Sequence, residues 1–119
     1  MAIQKRNTRA QAAACGCGAR EKNRKALEVD PEIKSSNLKR LRRIEGQVRG
    51  LQRLVDEDRY CADILVQISS VQEALRSVGR ALMKNHLRHC AADAIRSAAP
   101  GRAEAMYDEL LDLMQLQSR

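Results

Sequence analysis

The sequence predicts an all-α protein, a three-helix protomer that has to pair with copies of itself. Three observations carry this. Beyond residue 30, apolar side chains recur at steps of three and four, the spacing of one helix face. Phe and Trp are absent and only Tyr60 and Tyr107 are aromatic, so a core must be built from Leu, Ile, Val, Ala and Met, which favours helix over sheet. At 119 residues the chain is one domain at most, and it buries only a thin core unless it associates.

Residues 1–30 are read as a basic, disordered N-terminal arm, and 31–119 as the helical domain. The arm carries Lys5, Arg6, Arg9, Arg20, Lys22, Arg24 and Lys25, a Cys-Gly-Cys-Gly stretch at 15–18, and no sustained apolar period. Asp30-Pro31-Glu32 then starts a helix: Asp30 can cap, Pro31 suits the first helical position and Glu32 the dipole. Leu38, Leu41, Ile44, Val48, Leu51 and Val55 form its apolar stripe, and the helix ends near Asp56-Glu57-Asp58. Its other faces are basic, with Lys34, Lys39, Arg40, Arg42, Arg43, Arg49 and Arg53 against Glu45.

In the second helix Cys61, Ile64, Ile68, Val71, Leu75, Val78 and Leu82 keep a strict three-four alternation, a seam suited to lengthwise packing against other helices. The pattern continues through Met83 to about Arg96 and stops at Ala99-Pro100-Gly101. A third helix is expected from about Arg102 to Leu116, with Ala103, Met106, Leu110, Leu113 and Met114 inward and Glu104, Asp108 and Asp112 outward.

The 22 Lys and Arg against 15 Asp and Glu give a net charge of +7, which points to a polyanionic partner, nucleic acid first. No apolar run reaches the roughly 18 residues of a membrane-spanning helix, and Ala10–Ala14 is too short and weak for a secretion signal, so a cytoplasmic location is expected. In that reducing compartment the four cysteines read as ligands or redox thiols, not as a disulfide framework. With no carboxylate pair, Ser-His set or Gly-rich phosphate loop, an enzyme with a small-molecule substrate is disfavoured.

His86 and Cys90 are four apart on one helix and share a face, an arrangement that can bind one metal ion, though seam packing alone would also account for it. Cys61 lies on the same seam, 25 positions before His86. On a continuous helix that is about 37 Å, so the two cannot share an ion within one chain. Two copies packed antiparallel would bring Cys61 of one to His86 and Cys90 of the other, twice per dimer. Two thiolates and an imidazole are a soft set suited to trigonal Cu(I) and incomplete for Zn(II). His89 points away by helical phase, although a local distortion could recruit it. Cys15 and Cys17 could chelate a soft ion, but incidental thiols in a tail are the simpler account.

The stretch Leu38 to Gly50 (LKRLRRIEGQVRG), with Tyr60-Cys61, Gln67-Ile68 and Asn85-His86-Leu87-Arg88-His89-Cys90, resembles the CsoR-type family of copper-sensitive operon repressors over roughly residues 34–115. The resemblance implies an antiparallel four-helix-bundle dimer, paired again into a tetramer without a helix-turn-helix. It puts the Cys, His, Cys metal set on Cys61, His86 and Cys90, and supporting partners on Tyr60 and Glu109. Relatives sense nickel or cobalt, formaldehyde or persulfides. Ala26–Ile33 holds no His or Cys of the kind nickel sensors use, and both His86 and Cys90 are present, so copper has the fewest mismatches.

The resemblance also places double-stranded operator DNA on the first two helices, where Lys39, Arg40, Arg43, Arg49, Arg53, Arg76 and Arg80 repeat over a tetramer, with Arg40 and Arg80 foremost. The expected function is repression by the apo protein and release on Cu(I) binding, which derepresses copper-resistance genes. A thiol-redox sensor using Cys61 and Cys90, a nickel or zinc sensor of the same fold, and a cytosolic copper buffer are the alternatives. A redox switch would not need His86 as a ligand, and a buffer would not need the basic first helix.

Overall fold

The computed structural model describes residues 23–119. Helix α1 spans Pro31–Asp56 and α2 spans Cys61–His86; a π-helical turn, Leu87–Ala91, and the short α3, Ala92–Arg96, follow α2 directly, and α4 spans Arg102–Gln117. The described residues are all-α, as the spacing predicts, and most of the expected arm, Cys15 and Cys17 included, lies outside them. They divide into two compact units, Asp30–Leu82 and a second made of Met83–Arg119 with the described residues up to Val29. No described helix is long and apolar enough to cross a membrane.

The Asp30–Leu82 unit is a helical hairpin. Asp30 is extended (φ −64°, ψ 124°), and its carbonyl accepts the Lys34 N–H at 3.0 Å. Its side chain makes no capping hydrogen bond, contrary to expectation, while Pro31 at the first helical position leaves one fewer unpaired N–H in the first turn. At the other end Asp58 adopts φ 53° while the Asp58 N–H reaches the Val55 carbonyl (3.2 Å) and the Arg59 N–H the Leu54 carbonyl (3.0 Å). This is a Schellman stop built without glycine. The left-handed conformation costs an L-residue roughly 1 kcal/mol, partly offset in an Asp58→Gly variant by the looser unfolded chain. We expect that variant to melt about 3 °C higher in calorimetry; a lower midpoint would show that the Asp58 side chain stabilises the turn.

Ile44, Val71 and Val78 form the buried core of the hairpin, with Leu51 and Ala74 packed on them. The least exposed line of α1 is Ile33, Asn37, Arg40, Ile44, Gln47, Leu51 and Leu54, again at three-four spacing. The expected stripe is therefore split: Ile44 and Leu51 turn inward, while Leu38, Leu41, Val48 and Val55 remain exposed on the single chain. α2 divides the same way. Val71 and Val78 are buried and Ile64 half-buried, but Cys61, Leu65, Ile68, Leu75 (47% exposed) and Leu82 (55%) run along an uncovered edge. A stripe too wide for one neighbour to cover explains both. Asn37 is only 5% exposed, and neither atom of its amide has a hydrogen-bond partner. The Gln47 amide oxygen is likewise buried without a partner.

In the second unit Cys90, Ala91, Ala94 and Met106 are buried together, with Leu110 against them. The turn into α4 depends on Gly101 at φ 75°, a region glycine enters without penalty. Arg102 then bridges back to Asp93 at 2.6 Å, fastening the start of α4 to α3. Met106 is fully buried as expected of the inward face of α4, but Met114, expected beside it, is exposed near the helix end.

Candidate metal centre

α2 is unbroken from Cys61 to His86, so these two side chains mark its two ends. The Tyr60 carbonyl, just before the helix, accepts the Asp63 N–H (3.0 Å) and the Ile64 N–H (3.2 Å), which makes Tyr60 the residue that starts α2. Both the Tyr60 ring and Cys61 are exposed.

His86 meets Glu109 of α4: its Nε2 lies 3.2 Å from the Glu109 Oε2. The other Glu109 oxygen, Oε1, accepts from the Arg24 guanidinium at 3.3 Å, and both partners are mostly shielded from solvent. A carboxylate facing Nε2 favours the tautomer that carries its proton there, which leaves the Nδ1 lone pair available to a metal.

Cys90 sits in the π turn and is 3% exposed, its Sγ accepting the Leu27 N–H at 3.5 Å. Asn85, one residue before His86, donates from Nδ2 to the Glu28 carbonyl at 2.9 Å. His89 is turned to Glu28, Nδ1 to Oε2 at 3.3 Å. Leu27 and Glu28, within the span expected as an arm, form a strap against the segment that carries His86 and Cys90, and Arg24 reaches Glu109. A π turn inserts one residue into an α-helix, shifting side-chain phase by roughly 100° beyond it. His89 lies within this turn, so its direction does not follow regular helical phase.

The chain thus brings Glu109 to His86 and encloses Cys90 beside the same strap, while Tyr60 and Cys61 belong to the far end of α2. Among the described residues of one chain, no three His, Cys, Asp or Glu side chains form a group able to hold a metal ion. Arg24, Leu27, Glu28 and Asn85 were not anticipated from sequence. Leu27 and, toward Asn85, Glu28 act through main-chain atoms, which leave no sequence signature.

The basic residues are placed unevenly. Lys39, Arg43, Arg49 and Arg53 on α1 and Arg76 and Arg80 on α2 are exposed, whereas Arg40 is half-buried on the line of Ile44 and Leu51. Arg49 pairs with Glu45 at 3.2 Å and Arg76 with Glu73 at 3.5 Å, exposed pairs that are individually weak.

A family model described as "metal-sensitive transcriptional repressor" matches residues 33–116. The chain is 55% identical over 76 residues to the copper-sensing transcriptional repressor CsoR of Bacillus subtilis, covering 64% of this chain and 72% of that protein. It is 53% identical over 68 residues to the copper-sensing transcriptional repressor RicR of Mycobacterium tuberculosis, covering 57% and 71%. The crystal structure of the copper-sensing repressor CsoR with Cu(I) from Geobacillus thermodenitrificans superposes with a TM-score of 0.66 at 47% identity, covering 77% of this chain and 93% of that one.

Proposed function

This chain belongs to the family of metal-sensitive transcriptional repressors, and from that premise we propose that its apo oligomer holds operator DNA in the cytoplasm and lets go when Cu(I) binds between subunits, derepressing copper-resistance genes. The observation that carries the proposal is the uncovered edge of α2, which has Cys61 at one end and His86, already held by Glu109, at the other. In an antiparallel pair that sets Cys61 against His86, residues 65 and 82 also meet, as do 68 and 79. These are Leu65 with Leu82, and Ile68 with the bare backbone of Gly79, so the exposed leucines cover each other where the register aligns the ligands.

In this reading Cys61 of one copy joins His86 and Cys90 of the other. Bound there, Cu(I) supplies a soft three-coordinate cross-link between two chains. Glu109 holds the His86 proton on Nε2, the Leu27 N–H steadies the Cys90 sulfur, and Tyr60 stands next to the incoming Cys61. Two such dimers form a tetramer on which Lys39, Arg40, Arg43, Arg49, Arg53, Arg76 and Arg80 repeat to meet phosphates. The basic residues 1–30 add to that charge, and 31–119 do the sensing. A ligand set split between chains ties metal occupancy to subunit arrangement, and reciprocity requires bound DNA to weaken Cu(I) by the same factor.

The test is an anaerobic fluorescence-anisotropy titration of duplex DNA from the protein's own promoter with apo protein, then with stoichiometric Cu(I), Ni(II), Zn(II) or polysulfide. Release by Cu(I) is expected. Release by polysulfide and not by Cu(I) would move the function to thiol sensing through Cys61 and Cys90.

A further inference from the structure

A cleft of about 370 Å³ opens where the last turns of α1 meet the first turns of α2, at the end of the hairpin that bears the Schellman stop. Leu51 and Leu54 are its half-buried apolar residues, Gln47 and Gln67 bring side-chain amides, and Arg53 and Arg59 bring exposed guanidiniums; Glu57 is the one acid lining it. Gly50 also lines it, and a Cβ built there meets nothing within 4 Å, so the absent side chain keeps that wall open. The local fold sets Arg59 in place, since its N–H closes the stop on Leu54.

We propose that this cleft seats a phosphodiester group of duplex DNA, with Arg53 and Arg59 taking the phosphate oxygens and the Gln47 and Gln67 amides completing the shell. The proposal rests on the repressor reading and assigns Arg59, Gln47, Gln67 and Gly50 to the DNA interface for the first time. Two guanidiniums and two amides on a concave surface are donors in excess, the requirement of an oxyanion. The Gln47 amide oxygen is buried without a donor, which leaves its NH2 as the group free to donate.

Charge continuity favours a polymer over a free anion. Lys39, Arg43, Gly46, Gly50 and Arg53 follow one another at three-four spacing, so a single face of α1 runs from two exposed cations to the cleft over roughly 20 Å of helix. A polyanion engages the whole line; an isolated phosphate uses only its end. Gly46 is as open as Gly50, so no side chain interrupts the approach.

The experiment measures affinity for promoter and scrambled duplexes against salt concentration, for the full chain and its Arg59→Ala, Gly50→Leu and Glu57→Gln variants. Removing one phosphate contact should lower the slope of log affinity against log salt by about one, and lower affinity by roughly fivefold on both duplexes alike. Gly50→Leu fills the cleft and should weaken DNA binding similarly. Its melting temperature should not fall, because leucine is the better helix former, and this separates blocked binding from lost folding. Glu57→Gln should tighten binding. Wild-type binding that Arg59→Ala and Gly50→Leu leave unchanged overturns the cleft alone, even if inorganic phosphate shifts the Gln47 and Gln67 amide resonances, since the seat is then for a free anion. Failure of the wild type to bind any duplex overturns the repressor reading and the cleft with it.

Discussion

His86→Ala keeps operator binding within about threefold of wild type but loses release by Cu(I), and its Cu(I) affinity falls by roughly 100-fold or more. Its described side-chain hydrogen bond is to Glu109, so its loss removes no described contact of the basic residues of α1 and α2. In the proposed site Cys61 and Cys90 remain and would still hold Cu(I) as a two-thiolate pair. The variant therefore separates binding from response: metal is taken up, but without the imidazole that ties it to Glu109 and α4. Glu109→Gln keeps the shape and removes the charge beside Nε2, and is expected to cost about 10-fold in Cu(I) affinity. Chelator competition measures affinity and anisotropy measures release. Undiminished release by His86→Ala would remove His86 from the sensor.

Leu75→Glu abolishes the dimer at micromolar concentration. In the register that pairs Cys61 with His86, position 75 falls beside the two-fold axis, opposite Gln72, so one substitution places two carboxylates close together in a seam meant to exclude water. Lost apolar burial, desolvation and like-charge repulsion together should weaken association by at least about 100-fold. Sedimentation velocity would then find a monomer, and the Cu(I) affinity of the three-ligand site would fall with it. A dimer that survives this change would mean that the exposed edge of α2 is not the surface on which the chains meet.

Much of this was legible from the residues. The three-four spacing marks both long helices, Pro100-Gly101 marks the break before α4, and the expected unbroken helix from Cys61 to His86 is found. Glu109, named only through resemblance, is found against His86.

What escaped reading has physical reasons. The inward line of α1 includes Asn37, Arg40 and Gln47, polar types that a hydrophobicity pattern assigns to solvent, so the apolar pattern captures Ile44 and Leu51 but joins them to the exposed Leu38, Leu41, Val48 and Val55. Leu87–Ala91 contains neither Pro nor Gly, and nothing in it announces a π turn. The strap over Cys90 works through the Leu27 amide and the Glu28 carbonyl, groups that every non-proline residue possesses. Arg59, at the end of a run of acids, reads as a solvated loop charge until the Schellman stop is seen to fix its backbone.

The uncovered edge of α2 also bears on how much of this protein a cell must keep. In the proposed pairing, a chain that leaves Leu65, Leu75 and Leu82 in water forgoes roughly 1 kcal/mol for each until a second copy covers them. Its folded fraction then follows mass action and rises with its own concentration. If the chains meet on this edge, the repressor has a floor on its abundance: below the concentration at which they find each other, unpaired copies would be open to proteolysis and repression would lapse with no signal from the metal at all.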